Sequence, residues 1–282
     1  MSVVVPVSSE PIAYGHNWGR GSYDVATAVE TDASGNIYIA GITTDTTLGR
    51  ELGFLAKYDP FGSLVWDVAM DCGAPTKVMD MAISQTGELY VLGDTMDGWL
   101  AKVSNSGSLL YAKTLDGIDS PYRIAYDSAT DGVVVVGDSS SYGDAVVAAF
   151  NPDGSLRWST ESLSPEIVSP WGVSVGPSGD VYIICDRTYG NDVGIAMLSS
   201  SGQLVKQVIF SSLEPEYSWD IAVDQQGNVY AMGYEMDDGS NLFAKFTSSL
   251  DHIWTEIIAG SYSWRECFRL SVVSDESLYA VG

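Results

Sequence analysis

Short apolar runs alternating with polar residues recur along this chain in pairs, each pair wrapped around a turn. One pair reads small-apolar-x-apolar, a polar turn with glycine, then apolar-Tyr-apolar-apolar-Gly. Its first copy is Ala28-Val29-Glu30-Thr31-Asp32 followed by Gly35-Asn36-Ile37-Tyr38-Ile39-Ala40-Gly41. Later copies close on Leu89-Tyr90-Val91-Leu92-Gly93, Val133-Val134-Val135-Val136-Gly137, Val181-Tyr182-Ile183-Ile184-Cys185, Val229-Tyr230-Ala231-Met232-Gly233 and Leu278-Tyr279-Ala280-Val281-Gly282. The copies therefore end at positions 41, 93, 137, 185, 233 and 282. A period of about 44 to 52 residues lies in the range of propeller blades.

A second pair follows each of the first five copies. Phe54-Leu55-Ala56-Lys57-Tyr58 passes through Asp59-Pro60-Phe61-Gly62 into Ser63-Leu64-Val65-Trp66. Its relatives lead to Leu109-Leu110-Tyr111, Leu156-Arg157-Trp158, Leu204-Val205-Lys206 and Ile253-Trp254. Each pair predicts a hairpin, and two hairpins make a four-stranded antiparallel blade. The sixth copy stops after its first hairpin. The first 22 residues offer the missing one: Val3 to Val7, a Ser8-Ser9-Glu10-Pro11 turn, then Ile12-Ala13-Tyr14. Pro6 suits an edge or a bulge there. The expected fold is all-β: a single six-bladed β-propeller over 1–282. Its blades are 23–75, 76–120, 121–169, 170–216, 217–263, and 264–282 joined to 1–22, so that the N-terminal hairpin closes the last blade and removes a free edge. The termini are then expected to meet on the top face.

The repeats resemble the bacterial and archaeal "β-propeller repeat" family through D-x-x-G-N-[IV]-Y-[IV]-x-G at 32–41 and F-[LV]-A-K-[YF]-[DN]-P-x-G-S-L-x-W at 54–66. Asn151-Pro152-Asp153-Gly154-Ser155-Leu156-Arg157-Trp158 repeats the second pattern, and Ser169-Pro170-Trp171-Gly172-Val173 is similar to NHL-type propellers. The resemblance implies a propeller and a secreted or surface setting, and fixes no activity.

Charge narrows the function classes. The 282 residues hold 13 Lys and Arg against 37 Asp and Glu, a formal net charge of −24. Such a surface repels phosphate backbones and anionic membranes, so neither nucleic-acid binding nor membrane insertion is expected. It suits cationic partners or metal ions, or is simply a solvated acidic surface. No apolar run reaches the length of a membrane-spanning helix. Met1-Ser2-Val3-Val4-Val5-Pro6 lacks a charged leader and a long apolar core, so it does not read as a signal peptide. Either export by that route does not occur or a leader was removed.

Catalytic constellations are sparse. His16 follows the outermost strand of the closing blade and His252 lies in a turn on the opposite face, too far apart to share a site. Cys72, Cys185 and Cys267 fall in three blades without C-x-x-C spacing, which argues against zinc and favours free thiols. The sialidase Ser-x-Asp-x-Gly-x-Thr-Trp box, Trp-Asp repeats, kelch double glycines and the metal pattern of six-bladed lactonases are missing.

The top face holds the remaining candidates. One position per blade precedes the small-apolar triplet: Ala28, Asp80, Arg123, Gly172, Asp220 and Arg269. Around the ring this reads small, acid, base, then the same again. Asp80 is expected to face Arg123, and Asp220 to face Arg269, across adjacent blades. These charges either satisfy one another at the channel mouth or hold a polar ligand between Arg123 and Arg269. One residue earlier stand Tyr122, Trp171, Trp219 and Phe268, with Trp264 nearby. They either pack between blades or form platforms for sugar rings or a protein. The middle loops are acidic: Asp94 to Asp97, Asp138 to Asp144, Asp186 to Asp192 and Glu235 to Asp238. Calcium is one reading of them and solvated Asp-capped turns the other; no known calcium spacing occurs, and no cofactor is expected. The longest middle loop, Ile42 to Gly53, is a further candidate for specificity.

These features point to a non-enzymatic interaction or scaffold propeller. It binds a protein partner through its top face, as a component of a cell surface, virion or other assembly. Glycan or small polar ligand binding at the channel mouth is the alternative, and a hydrolase or lyase is the third.

Overall fold

The computed structural model describes residues 23–95, 97–139, 145–161, 167–187, 192–210, 216–235, 240–258, 269–272 and 278–281. Among them every regular element is a strand. Blade one comprises Asp24–Thr31, Ile37–Asp45, Arg50–Tyr58 and Leu64–Met70; blade two Lys77–Ile83, Leu89–Asp94, Gly98–Val103 and Leu109–Thr114. Blade three comprises Ser120–Asp127, Gly132–Asp138, Ala145–Phe150 and Leu156–Glu161; blade four Ile167–Val175, Val181–Arg187, Val193–Leu198 and Leu204–Phe210. Blade five comprises Glu216–Val223, Val229–Glu235, Asn241–Phe246 and His252–Ile258, and the sixth shows its inner pair, Arg269–Val272 with Leu278–Val281. Each full blade is an antiparallel meander in chain order. The chain is a six-bladed β-propeller. The outer strands of blade six expected from 1–22, together with Pro6, His16, Trp264, Cys267 and Phe268, lie outside the described residues.

The D-x-x-G-N-x-Y motif is one hydrogen-bonded unit. Asp32 accepts from the amides of Ser34 and Asn36, from the Asn36 side chain at 2.7 Å and from the Tyr38 hydroxyl at 3.0 Å. Gly35 supplies the left-handed residue that closes the turn, at φ +79°. Asp224, Asn228 and Tyr230 repeat the arrangement in blade five. A lysine of the third strand sits over the second-strand tyrosine in blades one, two and five: Lys57 on Tyr38 at 5.0 Å, Lys102 on Tyr90 at 4.8 Å and Lys245 on Tyr230 at 5.0 Å.

Cores form between blades rather than within them. Tyr38, Ala40 and Leu55 of blade one pack with Val78, Leu89 and Val91 of blade two, and equivalent clusters join blades two to three, three to four, and four to five. The outer strands lock neighbouring blades at the rim. Trp66 donates to the Asn105 carbonyl at 2.9 Å and covers Gly107, while Trp158 donates to the Ser200 carbonyl at 2.9 Å and covers Gly202. Blade four has Lys206 in place of the tryptophan. It donates to the Ser249 carbonyl, and the facing turn has Leu250 at φ +55° where the others have glycine.

The inner strands bulge at one repeat position. Thr27, Met79, Tyr122, Trp171 and Trp219 are each the extra residue in the register with the second strand. The bulge explains the glycine that ends each tyrosine run. A Cβ on Gly41 would lie 2.0 Å from the Val25 carbonyl oxygen, on Gly93 2.5 Å from that of Lys77, and on Gly137 2.4 Å from that of Ser120. Blade four has Cys185 at this position and a second bulge at Ser169, whose φ is +45°. The added residue makes room for a side chain.

Candidate functional site

Among the described residues, the inner strands of all six blades line a central channel of about 800 Å³. The bulge fixes what faces it. Immediately after the bulge come Ala28, Asp80, Arg123, Gly172 and Asp220, and Arg269 holds the same repeat position in blade six; all but Gly172 line the channel, where blade four contributes Val173 to Val175. The structure therefore brings Asp80, Arg123, Asp220 and Arg269 together.

Their pairing differs from the adjacent-blade pairs expected. The ion pair that forms joins Arg269 to Asp80 at 2.8 Å, from blade six across Ala28 of blade one to blade two. Each aspartate is instead tied to the neighbouring blade by backbone. Asp80 accepts from the Ile124 amide at 3.1 Å and Asp220 from the Leu270 amide at 2.8 Å. In both cases the donor is the residue after an arginine, so the carboxylate clasps the next inner strand and the arginine is free to reach elsewhere. Asp220 also accepts from the Ile221 amide at 3.0 Å. Both carboxylates are buried. Burial pushes the Asp220 carboxyl up, and Arg269 and the Leu270 amide oppose that shift. Burial likewise works against the charge on Arg269, but Asp80 and Asp220 overcome it and raise its affinity for the proton.

Arg123 has no such partner. Its Nη1 donates to the Tyr122 carbonyl at 3.0 Å, whereas its buried Nε makes no hydrogen bond and no carboxylate pairs with it among the described residues. Burial lowers its affinity for the proton; Asp80 opposes this, Arg269 adds to it and Asp220 opposes it. A guanidinium nonetheless stays charged.

One channel residue escaped the sequence reading. Glu30 lies two positions beyond Ala28 on the same strand, where the other blades have Ala82, Ala125, Ser174, Ala222 and Ser271. Burial first, and Asp80 second, push its carboxyl up to about 7, with Arg269 opposing. Reading the inner strands two residues further along the same face would have found it.

Of the aromatics, Tyr122, Trp171 and Trp219 are the bulge residues of blades three, four and five. Tyr122 and Trp171 stack across the blade boundary, with centroids 4.9 Å apart and planes 24° apart. Carboxylates at the ends of the second strands pin both. The Tyr122 hydroxyl donates to Asp138 at 2.6 Å and Trp171 Nε1 to Asp186 at 2.7 Å, while Asp186 also accepts from the Ser218 amide and hydroxyl at 2.8 Å. Burial, and then the bond to Asp138, raise the Tyr122 phenol well above its usual range. These rings remain partly exposed, so they pack between blades and face solvent at once.

Elsewhere the chemistry is thin. Cys72 is an exposed free thiol, and the buried Cys185 donates its Sγ–H to the Gly194 carbonyl at 3.4 Å. His252 is exposed, 2.8 Å from the Thr255 hydroxyl. Among the described residues no three His, Cys, Asp or Glu side chains come together as a metal site, and no helix is long and apolar enough to cross a membrane.

No protein-family model matches the sequence, and neither does any curated protein. Solved structures do match in shape. Hydrazine synthase of Kuenenia stuttgartiensis superposes with a TM-score of 0.68 at 10% identity, over 94% of this chain and 77% of that one. The Dos1 propeller gives 0.63 at 13% identity over 93% and 68%. The Pan2 WD40 domain of Neurospora crassa gives 0.59 at 10% identity over 84% and 67%. At these identities the likeness concerns the propeller fold alone.

Proposed function

We propose that this propeller is a non-enzymatic interaction module that binds a protein partner through the top-face rim of blades three to five. The observation that carries this reading is the stacked Tyr122–Trp171 pair. Two rigid aromatics, partly exposed and pinned by Asp138 and Asp186, offer apolar contact area at low ordering cost. Half-exposed Tyr217 continues the surface in blade five. The rim is also acidic, which favours a partner with a basic contact surface.

The test is affinity purification from the native source with wild-type protein and with Trp171→Ala. A stoichiometric partner held by the wild type is expected to bind the variant at least tenfold more weakly, and to weaken as salt rises. Undiminished capture by Trp171→Ala contradicts the reading.

A further inference from the structure

The channel ring repeats small, acid, base twice, so its two halves should close alike. On one side Arg269 reaches across Ala28 to Asp80 and the ion pair forms. The matching reach on the other side runs from Arg123 across Gly172 to Asp220, and no ion pair is made there. Each Asp220 oxygen is engaged by one backbone amide, which leaves a lone pair on each. On Arg123 the Nη1 edge is used, while the edge formed by Nε and Nη2 has no acceptor among the described residues. The Nε of that edge is buried, and a buried charged donor without an acceptor is costly. That edge is the fork that holds a carboxylate bidentately.

The asymmetry extends to the residues above. The bulge positions of blades one and two carry Thr27 and Met79, whereas those of blades three, four and five carry Tyr122, Trp171 and Trp219; the equivalent residue of blade six, Phe268, lies outside the described residues. Between the two charges blade four presents Val173 and Ser174 to the channel, neither of which carries a charge.

We infer that the open half of the channel is a binding site for a small zwitterion of the α-amino-acid class, its carboxylate on the Arg123 fork and its ammonium on Asp220. Such a ligand restores on this side the charge bridge that Arg269 and Asp80 make directly on the other. It also brings no net charge into a protein already at −24, which a simple anion would. Asp220 in turn selects against a carboxylate without a neighbouring cationic donor, because a buried anion left facing it is repelled. The inference does not depend on a protein partner at the rim.

The test is calorimetric titration of the intact chain with glycine, L-alanine and L-serine, and with propionate and ethylamine as the two half-ligands. At least one amino acid is expected to bind, with both half-ligands at least tenfold weaker. Arg123→Met and Asp220→Asn, checked for folding by circular dichroism, are each expected to weaken it tenfold or more. Side-chain NMR gives a readout without any variant: the Arg123 Nε–H resonance should shift on titration with the bound amino acid. No binding by any of the three amino acids up to about 10 mM, binding of propionate as tight as that of the amino acids, or an unmoved Arg123 resonance overturns the inference.

Discussion

Asp224 accepts from the amides of Gln226 and Asn228, the Asn228 side chain and the Tyr230 hydroxyl, while buried beneath the blade. Hydrogen bonds of this number outweigh the burial that raises its carboxyl, and hold it below the usual range. Asp224→Ala is expected to cost about 3 kcal/mol in urea unfolding, and a loss below about 1 kcal/mol would show the motif to be dispensable. Glu30 behaves oppositely. Its carboxyl lies near 7 in the folded chain against 4.5 in the ordinary case, because burial and Asp80 disfavour its charge while Arg269 helps it. The folded state then holds the extra proton between about pH 4.5 and 7, so stability falls as pH rises through that window. Glu30→Gln should match the wild type at pH 4.5 and exceed it by about 1–2 kcal/mol at pH 8. An unchanged pH profile would place Glu30 in contact with water. The turn residues were legible in the sequence because each acts on neighbours a few positions away. Glu30 was not, since only its place on the channel face makes it unusual.

At the scale of the strand, the bulge links motif to site. The inner strand gains one residue, its preceding carbonyl swings toward the second strand, and glycine is the residue that fits opposite. Gly93→Ala would put its Cβ 2.5 Å from the Lys77 oxygen and 2.0 Å from the Trp99 ring. It is expected to destabilise by about 2 kcal/mol or more, seen as a lowered Tm. A neutral effect would mean that the bulge relaxes freely. The repeat showed the glycines and the alternating runs, and thus the blades. It did not show the bulge, because an extra residue leaves no mark in a pattern where Thr27, Met79, Tyr122, Trp171 and Trp219 have little chemistry in common. Once the bulge is known, it accounts for aromatics at the rim directly before charges in the channel.

At the scale of the whole ring, the sequence named the four channel charges but not their pairing. Adjacent blades were the natural partners along the chain; the structure spans the ring instead, because each aspartate spends an oxygen on the next blade's amide and Arg269 is long enough to pass over Ala28. The consequence is a propeller with a closed half and an open half, the open half lying under Tyr122, Trp171 and Trp219. The measurement that tests this most directly is a pair of double-mutant cycles on unfolding free energy. One joins Asp80→Asn with Arg269→Met, the other Asp220→Asn with Arg123→Met. The closed pair should couple by about 2 kcal/mol and the open pair by less than about 0.5 kcal/mol. Equal coupling in the two cycles would contradict the asymmetry on which the open site depends.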